Sequence, residues 1–234
     1  MPTPPRKTRP TRQRLSRERI LRAALQLADE EGIDAVSMRR TGQALGVEAM
    51  SLYKHVSGKE DVLDGISDLV MEEIEVPSRD LPWRTALRQS AIATHQAMLR
   101  HPWAAPVLES RRNPGPTRMR YLDAVVSILL DAGFTLQDVA RAFMAVDAHV
   151  YGFTTMILSF PFDLRDSPDE AQVLAEESFG DAFPGLRSMA ELAVTGPGVP
   201  LELEFGLDLI LDGLERRLSS TKPSRPAKKG KRKG

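Results

Sequence analysis

The chain has 234 residues, no cysteine, and 32 basic residues against 32 acidic ones. This length can bury a core in one or two domains, and the lack of cysteine excludes disulfides, thiolate metal sites and a cysteine nucleophile. No apolar run approaches the roughly 18 residues that span a bilayer, and the basic, proline-rich start is unlike an export signal, so we expect a cytoplasmic protein without a membrane contact.

The charges are segregated along the chain. The first 22 residues hold eight basic residues and one acid, and residues 222–234 hold seven basic residues and no acid. Residues 23–221 keep the other 17 basic and 31 acidic residues, a net charge of −14. The bulk of the chain should therefore repel DNA, whereas its ends attract polyanions. We predict a disordered basic arm over residues 1–14 and a disordered basic tail over 219–234.

The first predicted helix begins after Ser16, which fits an N-cap. Apolar residues such as Ile20 and Leu27 then recur at helical spacing, and Gly32 ends the pattern. These features predict a helix with one buried face.

A helix, a turn and a second short helix are predicted next. Ser37 is an N-cap for a helix over 38–45, and Gly46 can take the left-handed conformation that ends it. The residues expected to face the core are Ala44, Leu45, Val47, Leu52 and Val56. This arrangement is typical of a helix-turn-helix unit, in which the last helix reads DNA.

The outward residues of the second short helix suit two kinds of DNA contact. Ala49, Met50 and Ser51 offer small or flexible groups to base edges, and Tyr53 and the residues after it offer donors to phosphates. The donors are Tyr53, Lys54 and His55. Packing of Tyr53 beside the turn and a capping or surface role for His55 remain alternatives.

A longer helix is predicted from Lys59 to about Glu75, with one apolar face and one acidic face. At 1.5 Å per residue it spans about 25 Å, so it can transmit a movement away from the DNA-reading segment. Lys59 stands at the helix start, where the macrodipole disfavours a cation, which indicates either an external anion or a solvated side chain. We assign residues 15–75 to a DNA-binding domain that includes this connecting helix.

The rest of the chain is predicted to be helical, without strands. Residues 159–200 read as a loop with at most a short helix, because prolines, glycines and acids are frequent there. The predicted helices span 83–100, a short piece after Pro102, 117–132, 136–157 and 201–218. The predicted fold class is therefore all-α, with an N-terminal three-helix helix-turn-helix domain followed by a larger helical ligand-binding and dimerisation domain over 80–218.

The assembled pattern resembles the TetR family of bacterial repressors. The resemblance is specific and covers about 55 residues, and sparser matches at Trp83, Ala132-Gly-Phe and Phe205-Gly-Leu-Asp-Leu-Ile-Leu-Asp-Gly-Leu-Glu-Arg-Arg-Leu point to the tetracycline-repressor branch. The main matching segments are Ile20-Leu-Arg-Ala-Ala-Leu-Gln-Leu-Ala, Gly32-Ile-Asp-Ala-Val-Ser-Met-Arg-Arg, Leu45-Gly-Val-Glu-Ala-Met-Ser-Leu-Tyr-Lys-His-Val and Lys59-Glu-Asp-Val-Leu-Asp.

The resemblance implies a homodimer that binds a double-stranded, palindromic DNA operator and is released by a small-molecule effector. Thr41-Gly42 replaces the usual leucine-alanine pair, and glycine inside a helix costs about 1 kcal/mol relative to alanine. Ala49 and Met50 offer methyl and thioether groups, which favour thymine methyls over bidentate hydrogen bonding. The DNA-binding set is Ser37, Arg39, Ala49, Met50, Ser51, Tyr53, Lys54, His55 and Lys59.

The effector site departs from the tetracycline-binding members. Leu108 stands where those members have a histidine that binds the drug's magnesium ion, and Arg111-Arg112-Asn113 replaces Thr-Arg-Pro. We therefore predict a different apolar effector, of unknown identity, in a pocket with a few polar groups. The predicted pocket residues are Ser90, Thr94, His95, Met98, Trp103, Leu108, Arg112, His149 and Phe153.

Several of these side chains have a second interpretation. Trp83 and Trp103 suit core anchors as well as ligand stackers, and Arg111 and Arg112 suit salt bridges as well as an anionic effector. The histidines at 95, 101 and 149 lack metal-ligand spacing, so we predict no metal site and no cofactor.

Two other classes of function remain open. An effector-independent activator or architectural DNA-binding protein would rely on the basic tails and bind all duplexes with a steep salt dependence. An enzyme is disfavoured, because no phosphate-cradling glycine loop, paired carboxylates or serine motif stands in a convincing context.

Overall fold

A computed structural model describes residues 14–111, 115–159, 182–188 and 202–221. Within these ranges the regular structure is helical, with no strand, so the all-α fold class is confirmed. The helices are α1 (Arg17–Glu31), α2 (Met38–Leu45), α3 (Ala49–Leu52), α4 (Lys59–Glu72), α5 (Trp83–Arg100), α6 (Ala104–Ser110), α7 (Pro116–Asp131), α8 (Leu136–Ser159) and α9 (Leu203–Thr221), with a 3₁₀ turn at Ile33–Ala35.

Some predictions fall outside the described residues. They concern residues 1–13 of the basic arm, residues 222–234 of the basic tail, Arg112, and most of the predicted loop over 159–200. None of the described helices combines the length and apolar character needed to cross a bilayer.

The chain divides into two compact units. Unit 1 consists of Met1–Glu73 with Pro106–Arg118, and unit 2 of Ile74–Ala105 with Met119–Gly234. Residues 106–118 lie within the predicted regulatory domain over 80–218, and by their contacts they group with unit 1. Arg111 and Thr117 of this segment are hydrogen bonded to carboxylates of α4. No local sequence pattern predicts these contacts.

In unit 1, α1 is held by its caps and by its apolar face. The Ser16 hydroxyl accepts a hydrogen bond from the Arg19 amide at 3.3 Å, as an N-cap should. Gly32 ends the helix with a φ of 85°, which favours glycine. The buried face packs against α2 and α4 and consists of Ile20, Leu21, Ala24, Leu27 and Ala28.

The buried face of α2 differs from the prediction. Ala44 is exposed and Leu45 only half-buried, whereas Thr41 and Gly42 are buried. The predicted inward turn of Ala44 is therefore wrong, because α2 packs on α3 through its Gly42 side. Gly46 does take the left-handed conformation, with φ 66° and ψ 35°.

Gly42 is required by this packing. A Cβ atom there would lie 2.9 Å from the carbonyl oxygen of Val47 and 3.2 Å from the amide nitrogen of Ala49. The glycine that costs helix propensity thus allows the backbones of α2 and α3 to approach closely.

The helix α4 ends at Glu72, three residues before the predicted end at Glu75. Its apolar face is buried, and Ile66 is fully enclosed. The acidic face is not simply solvated, because several of its carboxylates pair within unit 1.

In unit 2, the helices α5, α8 and α9 pack on one another. Trp83 at the start of α5 meets Phe134 edge to face, with ring centroids 5.1 Å apart. Asp138 accepts a hydrogen bond from Nε of Arg217 at 2.6 Å and so ties α8 to α9. The helix α9 extends to Thr221, three residues into the predicted disordered tail.

Candidate DNA-reading surface and ligand cavity

The short helix α3 and the residues after it, 49–56, form the DNA-reading segment of unit 1. This segment exposes the side chains that are expected to contact bases and phosphates. Met50 is 74% exposed and Tyr53 48% exposed, and Lys54 and His55 are also exposed. Leu52 is fully buried and anchors the segment to the core. The regular helix covers only Ala49–Leu52, and the His55 and Val56 amides continue it by bonding to the Leu52 carbonyl at 2.8 and 3.1 Å.

The other predicted contact residues fall into two groups. Ala49 and Ser51 are half-buried beside Met50, whereas Arg39 and Lys59 are exposed. Ser37 is half-buried and caps α2, because its hydroxyl oxygen accepts a hydrogen bond from the Arg40 amide at 3.2 Å. Its hydroxyl hydrogen is not used in that bond and can still donate to a phosphate.

Arg40, next to Arg39, has a different role. Its guanidinium pairs with Glu31 at 2.6 Å, which links α2 to the end of α1. Within the described residues Arg39 has no such carboxylate partner, so its charge stays available at the surface.

Acidic residues near the reading segment are neutralised by arginines of the same unit. Arg17 binds Asp61 through both guanidinium nitrogens at 2.6 and 2.9 Å. Arg111 pairs with Glu60 at 2.6 Å and with Asp64 at 3.3 Å. These pairs reduce the repulsion that the acidic face of α4 would otherwise exert on a phosphate backbone.

The Asp61 carboxylate also holds the start of α4. It accepts a hydrogen bond from the Ser57 amide at 2.7 Å, and the Arg17 guanidinium lowers its pKa to about 2. The carboxylate therefore stays ionised and joins α1, the segment after α3 and α4.

In unit 2, the helices α5, α7 and α8 enclose a cavity of about 20 Å³. That volume is enough for about one water molecule, whereas sites for drug-sized ligands measure roughly 300–1,000 Å³. In this conformation the cavity is therefore closed to a ligand of that size. The lining residues are Leu87, Ser90, Ala91, Thr94, Tyr121, Val125, Leu129, Phe143, Val146, Asp147 and Val150.

The polar part of the cavity centres on Tyr121. Tyr121 lines the cavity together with Thr94 and Ser90, and burial raises the pKa of Tyr121. The Thr94 hydroxyl donates to the Ser90 carbonyl oxygen at 2.8 Å. Two predicted effector residues, Ser90 and Thr94, thus line the cavity.

Nine of the eleven residues that line this cavity are not among the predicted effector residues, and three of these nine have an aromatic or charged side chain: Tyr121, Phe143 and Asp147. Their spacing carries a signal, since Phe143, Asp147 and Val150 recur at helical intervals on α8, and Tyr121 and Val125 do so on α7. A polar residue within an apolar helical face is the feature that points to them.

Three other predicted effector residues form a separate cluster. His95 Nδ1 lies 2.7 Å from the Thr154 hydroxyl, which itself donates to the Val150 carbonyl, so the imidazole is the donor. Burial lowers the pKa of His95. The Phe153 ring contacts both His95 and His149, with centroids 5.8 Å apart in each case. The structure therefore brings these three rings together, outside the lining of the cavity.

His149 is further fixed by α9. Its Nε2 lies 2.9 Å from the Leu203 carbonyl oxygen, so it donates there. A Cβ atom on Gly206 would come within 2.4 Å of the same ring, which explains the glycine.

The remaining predicted effector residues are buried side chains. Met98 and Trp103 are buried in unit 2, where the Trp103 ring meets His101 with centroids 6.0 Å apart. Leu108 is buried in unit 1. No group of three or more histidine, aspartate or glutamate side chains is placed for a metal ion in the part of the chain that the structure describes.

Two family models match the chain. The family model for bacterial regulatory proteins of the tetR family matches residues 20–66. The model for the tetracyclin repressor-like C-terminal domain matches residues 76–218, more than half of the chain.

The chain belongs to the TetR family of bacterial transcriptional regulators.

Individual TetR proteins are similar over most of their length. The HTH-type transcriptional repressor DrrR1 of Streptomyces coeruleorubidus is 33% identical over 91% of this chain and 80% of its own. The tetracycline repressor protein class C of Escherichia coli is 28% identical over 89% and 94%. The Streptomyces coelicolor TetR family protein ActR, solved in complex with actinorhodin, is 25% identical and superposes with a TM-score of 0.73, covering 88% of this chain and 97% of that one.

This TetR chain does not fit the magnesium-tetracycline site of its branch. Leu108 occupies the position that the resemblance assigns to the magnesium-binding histidine, and it is a buried hydrocarbon side chain that cannot ligate a hard cation. Residue 108 of this chain therefore cannot supply a ligand to a magnesium ion.

Proposed function

We propose that the chain is a repressor that binds a palindromic operator as a homodimer and is released by a small, largely apolar effector. The observation that carries this proposal is the exposed set of Met50, Tyr53, Lys54 and His55 on a buried helix-turn-helix core. Base contacts by Met50 supply sequence preference, and the donors beside it hold phosphates.

Dimerisation is supported by apolar side chains that α8 and α9 leave uncovered. Met144 on α8 is 73% exposed, and Phe205 and Leu209 on α9 are 71% and 58% exposed. Exposed large apolar side chains on two helices that pack together support an interface there. Two-fold symmetry then presents two reading segments to successive major grooves, 34–36 Å apart.

Only part of the apolar surface of α9 is left for such an interface. Of the six apolar residues Phe205, Leu207, Leu209, Ile210, Leu211 and Leu214, the structure buries Leu207, Leu211 and Leu214 within the chain. Phe205 and Leu209 therefore carry most of the proposed contact from α9.

Effector release is supported by the path of α7. Its first residues, Pro116–Arg118, belong to unit 1, where Thr117 is hydrogen bonded to Asp68 of α4. Its later residues Tyr121, Val125 and Leu129 line the closed cavity of unit 2. A ligand that opens the cavity displaces α7 and, through Thr117, biases α4. The ligand can shift the equilibrium between the open and closed states only by the difference between its binding free energies for the two states.

The experiment that tests the proposal combines DNA affinity with oligomeric state. Operator duplex and random duplex are titrated with the full chain over a range of salt concentrations, and sedimentation is measured for wild type and Leu209→Glu. We expect specific affinity to exceed random affinity by at least about 10³-fold and Leu209→Glu to be monomeric. Leu99→Glu, at an exposed apolar position on α5, is the control and should remain dimeric.

Nearly equal affinities for both duplexes with one steep salt slope would instead support the alternative, an architectural protein that binds through its basic ends. A Leu209→Glu variant that sediments as a dimer would contradict the proposed interface.

A further inference from the structure

We infer that Arg111 sets the DNA affinity of the chain by covering the charges of Glu60 and Asp64 beside the phosphate-holding residues, and that withdrawing Arg111 from these carboxylates weakens DNA binding. This inference rests on the proposed function, because it assigns a role in the affinity and release of the same repressor. It adds a charge effect to the displacement of α7, through a side chain that does not itself contact DNA.

The two carboxylates lie at the end of α4 that follows the DNA-reading segment. Glu60 comes directly after Lys59, an expected phosphate contact, and the Glu60 side chain is 75% exposed. Asp64 stands about one turn further along the helix, roughly 6 Å away at 1.5 Å per residue. Exposed charges interact over about 8 Å at physiological ionic strength. Uncovered carboxylates at these two positions would therefore repel the phosphates that Lys59 is expected to hold.

Arg111 covers both carboxylates with one guanidinium. Its Nη1 donates to Glu60 at 2.6 Å and to Asp64 at 3.3 Å, and its side chain is only 17% exposed. The hydrogen bond to Glu60 raises the pKa of Arg111, so the guanidinium stays charged. Within the described residues, its buried Nε has no hydrogen-bond acceptor. The position of Arg111 therefore depends on these two carboxylates.

Arg111 differs from Arg17 in the part of the chain that carries it. Arg17 belongs to α1 and pairs with Asp61 inside the N-terminal part of unit 1. Arg111 belongs to residues 106–118, which the chain joins to unit 2 at both ends. A shift of α7 that pulls this segment would move Arg111 and leave Arg17 in place. Arg111 is thus the covering cation that a ligand bound in unit 2 can withdraw.

Gly115 offers a way to loosen this segment without changing a charge. The Thr117 amide and hydroxyl both donate to Asp68 of α4, and Gly115 lies against the same carboxylate. A Cβ atom at residue 115 would collide with the Asp68 carboxylate, so the segment or the carboxylate must move. Gly115→Ala therefore weakens the contact of Thr117 with α4, six residues after Arg111.

Salt dependence separates a charge effect from a structural one. Full-length variants are titrated by fluorescence anisotropy, at about 0.05 M and 0.4 M salt, against a random duplex and an operator duplex selected from a random pool. We expect Arg111→Gln to lose at least about tenfold in affinity for both duplexes at the lower salt and less than about threefold at the higher salt, where exposed charges are screened. Arg111→Lys keeps a positive charge and should stay within about threefold of wild type.

Arg79→Gln is the matched control. It changes the net charge equally and also uncovers a carboxylate, Asp131, but within unit 2. We expect it to alter the affinity for either duplex by less than about twofold, because Asp131 is not part of the DNA-reading unit.

Neutral residues in place of the carboxylates test the cause directly. Glu60→Gln with Asp64→Asn removes the negative charges and keeps the shapes of the side chains. In the wild-type background, Gly115→Ala should lose at least about threefold in affinity at 0.05 M salt. In the background of the double variant, Arg111→Gln and Gly115→Ala should each bind within about threefold of the double variant alone.

Three outcomes overturn the inference: an affinity loss in Arg111→Gln that is equal at both salt concentrations, a loss that survives Glu60→Gln with Asp64→Asn, and wild-type affinity in Arg111→Gln or Gly115→Ala. The specificity of the wild type distinguishes the two levels. Wild-type protein that prefers operator over random duplex, with variants that behave in one of these ways, overturns only the role of Arg111. Wild-type protein without that preference overturns the proposed function.

Discussion

The carboxylate of Asp68 on α4 accepts two hydrogen bonds from Thr117 at the start of α7, from the backbone amide at 3.0 Å and from the hydroxyl at 3.1 Å. The first amides of a helix have no partner within the helix, so Asp68 caps α7 from another element. Gly115 makes room for this contact, since a Cβ atom there would lie 2.3 Å from an Asp68 oxygen.

Removing this cap should destabilise unit 1. We expect Asp68→Ala to lower the free energy of unfolding by about 1–2 kcal/mol, because it removes the acceptor for both donors of Thr117. Urea unfolding measures the change. Glu72→Ala, at an exposed position of the same helix, should stay within about 0.5 kcal/mol of wild type. Equal stability of the two variants would show that the cap contributes nothing.

The pair between Arg17 and Asp61 predicts a specific acid dependence. The pKa of Asp61 in the folded protein is lowered from its ordinary value of 3.8 to about 2 by the hydrogen bonds from Arg17. Its contribution to stability is therefore complete above about pH 4 and is lost as the pH falls through 2. Both side chains are partly exposed, so solvent screening reduces the size of the effect.

The measurement is urea unfolding between pH 2 and 6. The stability difference between wild type and Asp61→Asn should be constant from pH 6 to pH 4 and should shrink below it, whereas Asp34→Asn should follow wild type throughout. A difference that persists unchanged at pH 2 would contradict the lowered pKa.

A methyl group at residue 42 should move the reading segment. Gly42→Ala places its Cβ against the Val47 carbonyl and the Ala49 amide, which are backbone atoms that cannot rotate away. We expect operator affinity, measured by anisotropy of a labelled duplex, to fall by at least about tenfold, equivalent to 1.4 kcal/mol. Gly185→Ala, where a Cβ atom meets open space, should leave it unchanged. Wild-type affinity in Gly42→Ala would mean that the backbones of α2 and α3 can separate freely.

Base-reading and phosphate-holding residues should give different signatures. Lys54→Ala should weaken binding to operator and random duplex alike and reduce the salt slope by about one. Met50→Ala should instead alter the preferred bases and leave the slope intact. Binding to a library of single-base operator variants measures both. An unchanged base profile in Met50→Ala would show that Met50 does not face the bases.

Local signals predicted much of the helical frame. Ser16 and Ser37 were recognised as N-caps because the capping bond forms within three residues, and α5 begins at Trp83 and ends at Arg100 as its pattern predicts. The helix α9 was placed about two residues too early at its start and three too short at its end. Its terminal serines carry no breaker, and polar composition alone does not end a helix.

Contacts between residues that are far apart in the sequence could not be predicted from local patterns. Arg111 had a salt bridge and an anionic effector as alternatives, and the structure pairs it with Glu60 and Asp64, which lie about 50 residues earlier. The cavity group of Tyr121 and Asp147 joins α7 to α8 and has no local motif. The orientation of α2 is a further example. The apolar periodicity predicted that Ala44 faces the core, whereas α2 packs on α3 through Gly42, its smallest residue.

The central claim, specific recognition of a two-fold symmetric operator, is tested most directly by selecting bound fragments from a random duplex pool with the full-length protein. The account predicts an enriched palindrome whose half-sites are centred about 10–10.5 base pairs apart, or a multiple of that spacing. Enrichment of unrelated fragments, or of a single unrepeated half-site, would contradict it.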